Sequence, residues 1–188
     1  MRIIAGVVKG FLLKVPKGLD VRPTSDRVKE TIFNILGSRL VDAAVLDLFA
    51  GTGNLGLEAL SRGAASAVFF DASRKSLAIV KENIAHTKLN NYCEVRKTDA
   101  LIGINFFNKN NSKFDLVFCD PPYNKGLIVK VLMSMDNPDS LLSATGILIV
   151  EHSCHEPWPD CLKYLEVRRT EKFGETLISF VIRKTATE

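Results

Sequence analysis

Residues 45–56 of this 188-residue chain, V-L-D-L-F-A-G-T-G-N-L-G, leave few folds open. Val45 to Phe49 is a short apolar, branched run of the kind that forms a buried parallel strand, and Gly51 and Gly53 give the backbone freedom for a tight turn. Leu55, Ala59 and Leu60 then recur at helical spacing. Strand, glycine turn and helix in that order make the first unit of a nucleotide-binding α/β fold.

Gly51-Thr52-Gly53-Asn54-Leu55-Gly56 also satisfies the G-x-G-x-x-G dinucleotide pattern, with Asp71 at about the distance of a ribose-binding acid. On the glycine pattern alone, a nicotinamide-dependent oxidoreductase stays open. Asp47 argues against it, because a carboxylate on the strand end before the loop stands where a pyrophosphate needs positive potential. S-adenosylmethionine suits the position better: it has no phosphate, its sulfonium is positive, and its ammonium is a cation that Asp47 can hold. Phe49, Gly51 and Gly53 are expected to line the same cofactor site.

Further strands follow in the pattern of an open parallel sheet. Ala67 to Phe70 ends in Asp71, whose carboxylate can accept both hydroxyls of an adenosine ribose; capping of the next helix by Asp71 or Ser73 is the alternative. That helix runs through Leu77, Val80 and Ile84. Cys93 to Lys97 ends near Asp99, which by position receives the adenine amino group. Leu101 to Phe107 reads as a short helix and Phe114 to Cys119 as a continuously apolar strand in mid-sheet. Ile128 to Met135 is helical, and Ile147 to Val150 is a fifth strand ending in Glu151-His152, with His152 readable as a general base or as a polar strand end. Tyr164 to Phe173 and Thr176 to Ile182 read as a closing antiparallel hairpin.

The fourth strand delivers Asp120-Pro121-Pro122-Tyr123. A planar exocyclic amine is a poor nucleophile because its lone pair is delocalised into the ring. To attack a methyl group in line, it must be oriented and rehybridised while nearby oxygens accept its hydrogens. Asp120 and the Pro121 carbonyl can supply those acceptors, Pro121 and Pro122 stiffen the loop, and Tyr123 offers a flat face for a base. Cofactor and acceptor sites are therefore expected side by side at the carboxyl ends of adjacent strands.

Charge points to a polyanionic partner. Residues 1–39 hold eight Lys or Arg against three acids, whereas the remainder holds 17 against 18, so the basic excess sits in the N-terminal fifth. Within it, Ile3 to Val8 and Phe11 to Val15 read as a small hairpin outside the main domain, with an expected boundary that divides the chain into a 1–22 appendage and a 23–188 domain. Lys9, Arg22, Arg27 and Lys29 are the candidate nucleic-acid contacts. Thr24 or Ser25 is a natural N-cap for a helix whose apolar face carries Val28, Ile32, Ile35 and Leu36.

Composition excludes other classes. Cys93, Cys119, Cys154 and Cys161 form no C-x-x-C pair, so reduced thiols in a cytoplasm are expected. The spacing of His152, Cys154, His155 and Cys161 fits no common zinc pattern, and no metal is expected. No run is long enough to span a membrane, and the apolar N-terminus is interrupted by Lys9 and Lys14.

D-L-F-A-G-T-G with D-P-P-Y resembles the class I S-adenosylmethionine-dependent methyltransferases that act on exocyclic amines. M-R-I-I-A-G-x-x-K-G, R-P-T-S-D-R-V-K-E-T-I-F-N-I-L, L-G-L-E-A-L-S-R-G-A and the late F-G-E-T-L-I-S-F resemble the RsmD-type family more closely, over nearly the whole chain. That resemblance implies a Rossmann-like seven-stranded sheet, mostly parallel with the last strand antiparallel. It also implies cofactor contacts from Asp47, Gly51, Gly53, Asp71 and Asp99, a catalytic loop at Asp120 to Tyr123, and methylation of N2 of one guanine in 16S rRNA of the small ribosomal subunit. Asp71 stands where Glu is more usual, and Phe11 and Leu12 where basic residues are common. Two alternatives stay open: an adenine N6 methyltransferase on DNA or RNA, since D-P-P-Y also serves that amine, and a non-catalytic RNA-binding assembly factor that keeps the cofactor fold.

Overall fold

The computed structural model describes residues 1–15 and 26–185. Seven strands form one sheet: β1 (Ala44–Asp47), β2 (Ser66–Asp71), β3 (Cys93–Lys97), β4 (Phe114–Cys119), β5 (Leu142–Ser153), β6 (Leu165–Phe173) and β7 (Thr176–Arg183). Their order is β3-β2-β1-β4-β5-β7-β6, with β7 antiparallel to both of its neighbours and the first five strands parallel. This is the α/β sheet the sequence implies, with the last strand reversed. The helices are α1 (Asp26–Leu36), α2 (Asn54–Ser61), α3 (Arg74–Thr87), α4 (Ala100–Lys109) and α5 (Leu127–Met135).

Period-two alternation along the central strands feeds two cores. On one face Val45, Leu116 and Phe118 pack with Ile32, Phe33, Leu57 and Val80 of the first three helices. On the other, Leu46, Val117 and Cys119 pack with Ile104, Phe107, Val131 and Leu132 of α4 and α5. Cys119 thus points into the sheet, as its place in an apolar run predicts. Ser73, rather than Asp71, caps α3, its Oγ accepting the Ser76 N–H at 3.3 Å.

The N-terminal segment departs from the expected two-stranded appendage. A single bridge between Arg2 and Leu12 replaces the two strands. Ile3, Gly10 and Leu13 N–H still bond across the two arms, but the donors between them turn to the main domain: Ile4 and Ala5 N–H to the Glu58 carboxylate at 2.8 and 3.0 Å, Val7 N–H to the Ser61 carbonyl at 2.7 Å, and Val8 N–H to Ser61 Oγ at 3.2 Å. Lys14 N–H donates to Asn83 Oδ1 at 2.7 Å, and Ile3 and Leu13 are buried in the core that α1 and α2 share. Gly6, at φ +86°, permits the approach, since a Cβ there would lie 1.7 Å from the Ser61 carbonyl oxygen. The expected boundary at residue 22 and the Thr24 or Ser25 cap lie outside the described residues.

Candidate active site

The sheet order reverses between β1 and β4, which is where open α/β sheets bind ligands at their carboxyl ends. A cavity of about 710 Å³ opens there. One wall comes from the ends of β1, β2 and β3 and carries Phe49, Gly51, Asp71, Asp99 and Leu101. The other comes from β4, β5 and the loop before α5, and carries Asp120, Pro121, Pro122, Tyr123 and Glu151.

The first wall combines two carboxylates with apolar side chains. Gly51, at φ +54°, turns the chain so that its N–H donates to Asp71 Oδ2 at 3.0 Å, and Ser73 N–H donates to Oδ1 at 2.7 Å. These two bonds fix the Asp71 carboxylate at the cavity edge and leave further lone-pair directions for ribose hydroxyls. Asp99 caps α4, accepting the N–H of Leu101 at 2.9 Å and of Ile102 at 3.4 Å. Phe49 and Leu101 add apolar surface to the same wall.

Asp47 and Gly53 do not line the cavity. Gly53, at φ +80°, precedes α2 and packs toward Leu57, Phe69 and Val80. Asp47 is 2% exposed and sits beneath the turn, where Oδ2 accepts the Gly56 N–H at 3.3 Å. The expected direct grip on a ligand ammonium thus becomes support of the glycine turn. Burial raises the Asp47 carboxyl to about 7, with the Asp71 charge adding and backbone donors at Gly56 and Phe49 opposing.

This raised value has a consequence for stability. An acid whose folded value exceeds its unfolded value of about 4 costs nothing below the lower one. It loses stability as pH rises between the two, and carries the full cost above about 7. Asp47→Asn removes the ionisation. In cofactor-free protein, the difference in unfolding free energy between variant and wild type is therefore expected to shift in the variant's favour by on the order of 4 kcal/mol from pH 4 to pH 8. Urea unfolding across that range checks it, and a difference independent of pH contradicts it.

The second wall is held by carboxylates. Tyr123 donates its hydroxyl to Glu151 Oε1 at 2.9 Å, and Asn124 N–H donates to Glu156 Oε1 at 2.8 Å, so the start of the loop after Pro122 is tied to β5 and the segment beyond it. Pro121 is buried and Pro122 exposed. The Asp120 acid is pushed well above the carboxylate range by burial, then by the charges of Glu151 and Asp47. It lies within the field of a second carboxylate on the neighbouring strand. The Tyr123 phenol is pushed up as well, mainly by burial, and stays protonated.

Several expected residues fall elsewhere. His152 is buried away from the cavity, with Nε2 2.9 Å from Ser179 Oγ and its ring against Trp158; burial lowers its pKa. It is a polar strand end. Lys29 is fully buried and cannot reach RNA: Nζ contacts Asn54 Oδ1 at 2.7 Å, Glu58 Oε2 at 3.1 Å and the Arg2 carbonyl. Lys9 and Arg27 are exposed, and Arg22 lies outside the described residues. Glu151 is the residue that sequence reasoning passed over in favour of its neighbour. The available signal was an acid closing an apolar parallel strand, the same signal that marked Asp71 and Asp120. Among the described residues no group of His, Cys, Asp and Glu could hold a metal ion, and no helix is long and apolar enough to cross a membrane.

Comparison with known proteins agrees with this architecture. Residues 1–182 match the family model described as conserved hypothetical protein 95. YlbH of Bacillus subtilis is 36% identical over 94% of this chain and 95% of its own length. Ribosomal RNA small subunit methyltransferase D of Escherichia coli is 34% identical over 93% of this chain and 86% of its own. The solved structure of yhhF from Escherichia coli superposes with a TM-score of 0.84 at 34% identity, covering 98% of both chains. With the sheet order, the two-walled cavity and these matches together, the chain belongs to the conserved hypothetical protein 95 family, the RsmD-type methyltransferases.

Proposed function

We propose that this chain transfers a methyl group from S-adenosylmethionine to the exocyclic N2 amine of one guanine in the 16S rRNA of the small ribosomal subunit. The observation that carries the reading is the division of one cavity into a wall suited to an adenosine and a wall suited to an amine. The relatives named small subunit methyltransferase D supply the substrate class. When bound, the cofactor supplies an electrophilic methyl group on a positive sulfonium.

The cavity fits that cofactor by its own chemistry. Asp71 is the acceptor for ribose hydroxyls, Asp99 for the adenine amino group, and Phe49 and Leu101 flank the ring. Among the described residues this wall carries no Lys or Arg, which is consistent with a ligand that carries no phosphate. On the acceptor wall, Asp120 and the Pro121 carbonyl accept the two amine hydrogens, which directs the nitrogen lone pair across the cavity. Asp120 then takes the proton that leaves as the nitrogen gains its methyl group, and passes it to solvent. The target base must leave its stack to reach this depth, with the Tyr123 ring as its platform. Exposed Lys9 and Arg27, together with the basic N-terminal fifth of the sequence, favour the RNA backbone outside.

The test is incubation with methyl-labelled S-adenosylmethionine and unmodified small subunits, with naked 16S rRNA and with DNA, followed by digestion to nucleosides. Label in N2-methylguanosine supports the reading. Label in N6-methyladenosine would reassign the base, and cofactor binding without any label would favour an RNA-binding assembly factor.

A further inference from the structure

Asp120 is not alone at the acceptor wall. Cys119 pairs with Val150 across β4 and β5, so the residues that follow them, Asp120 and Glu151, leave adjacent parallel strands at the same level. Both line the cavity. Two strands in register about 5 Å apart place the two carboxylates side by side, so that their side chains can converge on neighbouring donors of one base edge. The Tyr123 hydroxyl, donating to Glu151 Oε1 at 2.9 Å and lying 3.4 Å from Thr176 Oγ1, fixes where that carboxylate points. The electrostatics register the same closeness, since the Glu151 charge follows burial as a cause of the raised Asp120 acid.

Guanine presents N1–H beside its N2 amine, an unbroken row of donors. Adenine presents a bare N1 beside its N6 amine, an acceptor next to a donor. We propose that Glu151 selects guanine by accepting N1–H while Asp120 accepts from the amine, and that it rejects any base whose N1 carries a lone pair. This deepens the reading of N2 as the methylated atom and rests on it. A carboxylate facing a lone pair loses its hydrogen bond and meets repulsion in a partly desolvated site, the arrangement in which polar recognition discriminates most strongly. The ring-edge role is separate from the loop-holding role that the Tyr123 contact alone gives Glu151.

The base analogue 2-aminopurine separates the two roles, because it keeps the exocyclic amine of guanine but has a bare N1. The nucleotide that wild-type protein labels is replaced by 2-aminopurine in small-subunit RNA joined from two fragments and assembled into subunits. Transfer is then compared with the guanine substrate. Wild type is expected to prefer guanine by about 10²-fold or more, and Glu151→Gln, whose amide can donate to a bare N1, to reduce that ratio to under about tenfold. Tyr123→Phe is expected to slow both substrates while keeping most of the preference. It also guards against a Glu151→Gln protein that fails to fold, since loss of the preference in Tyr123→Phe would mean that Glu151 acts only through the tyrosine. A wild-type preference below about tenfold, or a ratio unchanged in Glu151→Gln, overturns the assignment of Glu151 alone. Wild-type protein that labels no guanine N2 on either substrate overturns the underlying reading, and this inference with it.

Discussion

An Asp120→Ala variant is expected to transfer methyl groups about 10³-fold more slowly than wild type, with its affinity for S-adenosylmethionine changed less than about threefold. The asymmetry follows from where Asp120 stands. It lies on the β4 and β5 wall with Pro121 and Glu151, while Asp71 and Asp99, the proposed ribose and adenine acceptors, leave β2 and β3 on the opposite wall. Alanine removes the group proposed to orient the amine and to take its proton, and leaves the other wall intact. Asp120→Asn keeps an acceptor oxygen without the basicity and should fall between the two. Single-turnover transfer and calorimetric titration measure the two quantities separately. Transfer within tenfold of wild type in the alanine variant would remove Asp120 from the chemistry.

The largest effect on stability is expected away from the cavity, at Glu58. This carboxylate is fully buried and satisfies four partners: Ile4 and Ala5 N–H, Arg62 Nε at 2.7 Å and Lys29 Nζ at 3.1 Å. Burial lowers the Lys29 pKa and the Glu58 charge works against that shift, so the ammonium depends on its partner. Glu58→Ala leaves the Lys29 ammonium buried without its counter-charge and two backbone donors without their acceptor. It is expected to cost about 3–5 kcal/mol, roughly 10 °C in Tm for a domain of this size. Glu58→Gln retains an acceptor for the N-terminal segment and should cost less. Thermal unfolding of the two variants checks the order, and a loss below about 1 kcal/mol for Glu58→Ala would show that the network is not what holds residues 1–14 to the domain.

The sheet was largely legible before the structure, because parallel strands buried on both faces announce themselves as apolar runs. Phe114 to Cys119 is such a run and has the expected bounds; Cys93 to Lys97 has them too, although it is a partly exposed edge strand, and Asp71, Asp99 and Asp120 stand at strand ends as read. β5 is longer than its apolar stretch because antiparallel pairing with β7 continues through Ser153 and Thr176, and pairing is invisible to local pattern. The N-terminal strands failed for a related reason: their backbone partners, Glu58 and Ser61, lie about fifty residues along the chain.

Lys29 shows how charge alone misleads. Lys29, Ile32, Phe33 and Leu36 recur at the spacing of one helical face, and that spacing already placed the lysine among buried residues. Its ion-pair partner on α2 was the missing fact. Asp47 was assigned to the ligand by its place before the glycine turn, yet a side chain on the buried end of β1 meets the turn's own N–H groups first. Glu151 went unnoticed because its neighbour is a histidine, and histidine draws attention as a base. Strand alternation sends the two side chains to opposite faces, and only Glu151 reaches the cavity.

The central claim, one cavity that methylates a guanine amine of the small subunit, is tested most directly in the cell. Nucleosides from small-subunit rRNA are quantified by mass spectrometry in cells that carry the gene for this chain, in cells that lack it, and in the latter complemented with wild type or Asp120→Ala. The account predicts that deletion removes about one N2-methylguanosine per subunit, that wild type restores it, and that the Asp120 variant does not. An N2-methylguanosine content unchanged by deletion, or restored in full by Asp120→Ala, would contradict it.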